Sequence, residues 1–194
     1  MRIVRPQKNQ RLSYTGHKKT HGLKFQGITT PDGLIASFIG PYVAEKSDFV
    51  MLQESGFPDK MELFWQDNAV TQNEQLYLYG DPAYTSSSVC IGAYKRPPNG
   101  RLTESQVHFN RQMSSHRIEV EHGFGLVKKL WKLLDLQLGM RSGFSPVGSW
   151  VFTAVLLTNV YTCLRGNQTL MRFQISPPSL EEYFGLRENE RESE

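Results

Sequence analysis

Five apolar side chains, Val120, Phe124, Val127, Trp131 and Leu134, recur at spacings of four, three, four and three. An α-helix of period 3.6 puts such a series on one face, and that face must be laid against another layer. Upstream, Thr103-Glu104-Ser105-Gln106 pairs a capping residue with a Gln three positions on, the capping-box pattern. The spacing predicts one long helix starting near Thr103, with Gly139 and Gly143 ending the region. The chain before it supplies strands. Residues 23–29 (LKFQGIT) and 34–39 (LIASFI) are rich in β-formers and flank the turn signal Pro31-Asp32-Gly33, so they read as a hairpin that Gly40-Pro41 ends. Residues 75–79 (QLYLY) and 89–94 (VCIGAY) read as two further strands; the first runs into Gly80-Asp81-Pro82 and the second into the basic, turn-rich loop KRPPNG at 95–100. Ser47 can cap a helix over 48–54, Gly56-Phe57-Pro58 interrupts it, and another short helix is expected over 59–65. A second long helix over 147–164 follows Pro146, and a short helical candidate follows Pro177-Pro178. This order predicts one α/β domain over 1–185, a mixed sheet with helices on its faces, and a charged disordered tail over 186–194.

The formal charge of the 194 residues is only +3, and its distribution says more than its size. From Met1 to Phe25 there are seven basic residues (Arg2, Arg5, Lys8, Arg11, Lys18, Lys19, Lys24) and no acidic one. Such a stretch attracts polyanions, nucleic acid above all, or is simply a solvated basic surface. Cys90 and Cys163 are far apart and form no CxxC pair, which argues against a thiolate metal site. The N-terminus has no apolar signal-peptide core. The most apolar run, 151–164, contains Thr153, Thr158, Asn159 and Thr162; it reads as a core helix, too short for a membrane span.

The residues that can carry chemistry are Asp48, Asp81 and Glu121, which lie 33 and 40 positions apart. Asp81 follows a strand end, where open α/β sheets place ligand sites, and Glu121 lies inside the long helix. Carboxylates brought together make an oxygen site suited to Mg²⁺ or Mn²⁺, and paired ions can drive in-line displacement at a phosphodiester. The structural alternative is that Asp81 is a turn residue and Glu121 a surface carboxylate paired with Arg117, four positions earlier.

Four words stand in order along the chain: GHKKTHGLKFQGITTPDG at 16–33, IGPYVAEKSDFVMLQESG at 39–56, LYGDPAY at 78–84 and RIEVEHGFGLVKKLW at 117–131. Tyr14, Gly16, His17, Lys18, His21, Lys24 and Gln26 carry the first, Asp48 the second, Asp81 and Tyr84 the third, and Arg117, Glu121, Phe124, Gly125 and Lys128 the last. Together they resemble the DDE superfamily endonuclease domain of Harbinger-type transposases, and the likeness runs from about Arg2 to Leu134. The resemblance implies an RNase H-like mixed sheet with flanking helices. It implies Asp81 and Glu121 as catalytic carboxylates, Asp48 as a further metal ligand, a divalent cation (Mg²⁺ or Mn²⁺) as cofactor, DNA as partner and the nucleus as location. The family's first Asp precedes an IxRP stretch. Here Ile3-Val4-Arg5-Pro6 is present but only Met1 and Arg2 come before it, so the leading strand and first ligand are expected to be missing. Ala44-Glu45-Lys46-Ser47 also departs from the family's pattern before Asp48. The expectation is therefore a truncated nuclease copy, active or inactive, or a domesticated non-catalytic domain that binds DNA or protein.

Glu119 is the weaker of the two helix glutamates. It projects about 200° away from Glu121. Lys18, Lys19, Lys24, Lys95, Arg96, Lys128, Lys129 and Lys132 could meet phosphates; Lys128, seven residues after Glu121, is the best placed of the last three, which otherwise form a wet helix face. His17 and His21 would make a zinc pair only if residues 16–22 were helical, and Gly16 and Gly22 oppose that. Trp65, Trp131 and Trp150 read as core. No helix-turn-helix pattern or zinc-finger spacing is present, so target choice is expected to rest on a separate DNA-binding partner protein.

Overall fold

The computed structural model describes residues 1–16, 19–135, 140–141 and 145–186. In chain order they form α1 (Gln10–Ser13), β1 (Tyr14–Thr15), β2 (Thr20–His21), β3 (Leu23–Thr29), β4 (Ile35–Val43), α2 (Asp48–Glu54), α3 (Phe57–Asp67), β5 (Leu78–Tyr79), β6 (Cys90–Ile91), α4 (Glu104–Leu130), a 3-10 turn (Lys132–Asp135), α5 (Val147–Arg165), α6 (Gln168–Phe173) and α7 (Leu180–Tyr183). The chain packs as two compact units: Met1–Ala44 with Glu119–Glu194, and Glu45–Ile118. The boundary between them falls inside α4.

The α/β class is as the sequence implies, but the described strands form three two-stranded ladders and not one mixed sheet. In the first unit β3 and β4 make the antiparallel hairpin. Gly40-Pro41 does not end β4, which runs on to Val43. The reason is a bulge. Gln26 pairs with Ile39 and Lys24 with Tyr42, so Gly40 and Pro41 together oppose Phe25. The extra residue of a bulge is unpaired, so the N–H that proline lacks is not missed there. Gly40 has φ 137°, and a Cβ there would lie 2.6 Å from the Phe25 ring. Met1 to Ile3 pair with the chain ahead of β3, through the Arg2↔Gly22 bridge and a bond from Leu23 N–H to Met1 O of 2.8 Å.

The core of this unit gathers Ile3, Ile35, Val127, Leu134, Met140, Val147, Val151, Ala154 and Val155, with Trp131 and Trp150 packed against it. Helix α5 is longer than the apolar run within it, and by length and composition it could cross a membrane. Here it buries Val147, Val151, Ala154, Val155, Thr158, Asn159 and Thr162. Its polar residues are what tie it down. Asn159 accepts from Ile35 N–H at 3.0 Å and donates to Ile35 O at 3.0 Å. Thr158 accepts from the Trp131 indole N–H at 2.9 Å.

In the second unit Leu52, Trp65, Val89 and Cys90 form the core. Helix α2 has the expected bounds, with the Ser47 hydroxyl accepting from Val50 N–H. Helix α3 begins earlier than the expected 59, because only Gly56, at φ 64°, breaks the chain; Pro58 sits in the first turn, where no N–H is needed. Strands β5 and β6 are two residues each, parallel, with Leu78 opposite Cys90 and Tyr79 opposite Ile91. Their flanks, read as strand from aromatic content, remain irregular, since β-propensity needs a packed neighbour on the pleated face.

Candidate functional site

Asp81 leaves β5 in a closed turn. Its carbonyl accepts from Tyr84 N–H at 2.9 Å, and its Oδ1 accepts from Ala83 N–H at 2.7 Å. Pro82 at the second turn position suits this geometry. Tyr84 then folds back over the strand ends: a Cβ on Gly80 would meet Tyr84 Cβ at 2.6 Å, and one on Gly92 would meet Tyr84 O at 2.7 Å. The word GDPAY is thus a packing unit, with glycine and tyrosine shaping the turn that holds Asp81. Asp81 is partly exposed, and among the described residues its second oxygen makes no hydrogen bond.

Helix α4 in the first unit divides its residues among three directions. Phe124 and Val127 point to the β3–β4 hairpin and the core: the Phe124 ring lies 6.1 Å from that of Phe38, and Gly27 makes room for it, since a Cβ there would lie 2.8 Å from Phe124 Cζ. Glu121, Gly125 and Lys128 are exposed along one stripe. Glu119 is 5% exposed and faces α6. Its Oε1 accepts from Arg172 Nη1 at 3.0 Å, its Oε2 accepts from the Thr169 hydroxyl at 3.0 Å, and His122 Nδ1 stands 3.3 Å from Oε2. Burial alone would raise the Glu119 carboxyl; the hydrogen bonds from Thr169, His122 and Arg172, with the His122 charge, outweigh it and hold the group below the ordinary carboxylate value. Three partners hold this glutamate inward, whereas Glu121 is exposed.

Asp48 occupies the first position of α2, partly exposed, where its charge suits the helix N-terminus. Among the expected phosphate contacts, Lys19 and Lys128 are exposed and Lys24 is half-buried in β3, while Lys18 lies outside the described residues. His17, the other half of the zinc pair that the sequence offered, also lies outside them, and His21 sits in β2. Gly139, Gly143 and the tail from 187 are likewise outside the described residues.

Carboxylate oxygens are the right donors for a hard divalent cation, but among the described residues no three His, Cys, Asp or Glu side chains gather into a cation site. Two features escaped the sequence reading. The Glu119 network depends on α6, which no apolar period announces, and only the His three positions after Glu119 hinted at a partner. Asn159 sits in the most apolar stretch of the chain, and its role needs the hairpin folded against α5.

A family model described as DDE superfamily endonuclease matches residues 1–159. The matched stretch ends inside α5, so Thr169 and Arg172 lie beyond it. No curated protein and no solved structure matches the chain.

Proposed function

The chain belongs to the DDE superfamily endonucleases, and from that premise we propose a nuclease domain of the Harbinger-transposase kind, RNase H-like in plan, that acts on DNA phosphodiester bonds. Asp81 and Glu121 are its acid residues and Asp48 an accessory carboxylate. Endonucleases of this superfamily generally use divalent metal ions, and we read Mg²⁺ or Mn²⁺ as the ion here. Lys19, Lys24 and Lys128, with Lys18, meet the DNA backbone, the nucleus is where the substrate resides, and a partner protein selects the target.

The observation that carries this reading is the division of labour on α4. The glutamate that matches the family word, Glu121, is exposed, while Glu119 is buried against Thr169, Arg172 and His122. Asp81 is likewise presented by a rigid turn. A second reading, a non-catalytic domain that binds DNA or protein, is favoured by Ala44-Glu45-Lys46-Ser47, which stand where the family's pattern before Asp48 differs.

One experiment separates them: plasmid nicking with Mn²⁺ by this chain, by the chain joined to an N-terminal strand carrying Asp-Gly-Thr, and by the joined form with Asp81→Ala. The nuclease reading expects nicking by the joined form and none by its Asp81→Ala variant. Failure of the joined form to nick supports the binding reading.

A further inference from the structure

We propose that Tyr79, Tyr94 and Phe109 form a stacking platform for an unpaired DNA base, with the loop over 95–101 holding the adjoining phosphates. The inference rests on the DNA-acting reading above and names the form of DNA that the second unit takes. Three observations meet here.

The first is exposed aromatic surface. Tyr79 is 50% and Tyr94 48% exposed, and both rings lean on the Phe109 ring, with centroids 6.4 and 5.3 Å away. The two phenols thus flank one phenyl ring and leave much of their surface to solvent.

The second is rigidity. The Asn110 side chain grips the Tyr94 backbone at both ends, accepting from its N–H at 2.9 Å and donating to its carbonyl at 2.9 Å. That fixes Tyr94 to α4 with no other element needed. Tyr79 is held by the ladder opposite Ile91. An aromatic surface ordered before binding loses little entropy when a base stacks on it.

The third is charge. No acidic residue occurs between Asp81 and Glu104, and this stretch carries Lys95, Arg96 and Arg101. All three are exposed, and Arg96 Nε donates to Gly100 O at 3.0 Å, which closes the loop on itself. Lys95 and Arg96 follow Tyr94 directly. Aromatic rings beside a cationic backbone track are how proteins take single strands without reading sequence. In a duplex the faces of each base are covered by its neighbours, so the rings discriminate for unpaired bases. Tyr79 stands two positions before Asp81, so a strand stacked here runs beside a candidate acid residue.

The test uses the whole chain and fluorescence anisotropy with a labelled 12-nucleotide single strand and the blunt duplex of the same sequence. Single-strand affinity is expected to fall about tenfold in Tyr94→Ala and in Tyr79→Ala, with duplex affinity changed less than about twofold. Tyr94→Phe should retain wild-type affinity, and Lys95→Ala/Arg96→Ala should flatten the salt dependence. Thermal melting checks that each variant is folded; if Tyr79→Ala is not, Tyr94→Ala and Tyr94→Phe decide. Unchanged single-strand affinity in the alanine variants, or equal loss for both DNAs, overturns the platform alone. Binding to neither DNA overturns the DNA-acting reading and the platform together.

Discussion

Arg172 Nη1 donates to Glu119 Oε1 at 3.0 Å across 53 positions of sequence, joining α6 to the middle of α4. Glu119 is among the few charged or polar side chains in the core, and its removal takes away the buried acceptor that Thr169 and Arg172 share. Glu119→Ala is expected to destabilise the chain by about 1–3 kcal/mol. Thr169→Val, which removes one neutral donor, should cost about 1 kcal/mol. Urea unfolding midpoints measure both.

The same carboxyl makes stability depend on pH. Its folded value lies below its ordinary one, so its contribution is fully present above the unfolded value and is lost as pH falls through the folded value. Wild type should therefore lose stability on acidification below the ordinary carboxylate range more steeply than Glu119→Gln. Parallel slopes in chemical denaturation from pH 6 to pH 3 or so would remove the assignment.

Asn159 satisfies both polar groups of Ile35, the first residue of β4. Asn159→Leu leaves a buried N–H and C=O without partners, a loss of at least about 2 kcal/mol. Hydrogen exchange at Ile35 should accelerate in that variant more than at Val151, which belongs to the same core but does not touch Asn159 through its backbone bonds.

Gly27 and Phe124 are matched in size. Gly27→Val puts bulk where a Cβ already lies 2.8 Å from Phe124 Cζ and 3.3 Å from the Phe38 ring, an overpacking cost of about 1–3 kcal/mol. Phe124→Leu in the Gly27→Val background should recover part of that loss, although alone it destabilises. A double-mutant cycle with no coupling would show that the two do not touch.

Asp81 and Glu121 should be cheap to neutralise. Asp81→Asn keeps an oxygen to accept from Ala83 N–H, and Glu121 is exposed, so each substitution is expected to shift stability by less than about 0.5 kcal/mol. Any nicking activity of the form joined to the Asp-Gly-Thr strand should nevertheless vanish in both. A large stability change would mean these carboxylates are structural.

Local physics made much of this protein legible from its letters. Thr103 and Gln106 exchange the two capping bonds their spacing announced, Ser47 caps α2, and Pro31-Asp32-Gly33 turns the hairpin. Each depends on residues within four positions, so no distant partner was needed. The four words likewise sufficed for the family, because they record residue identity in order. Contacts between distant segments were another matter. Glu119 and Glu121 differ only by rotation about one helix axis, and nothing local distinguishes a wet carboxylate from a buried one. That distinction waits on α6 bringing Thr169 and Arg172 against Glu119, and on Asn159 finding Ile35 across the core. Burial is a property of what arrives from elsewhere in the chain, which is why only the folded structure could assign these roles.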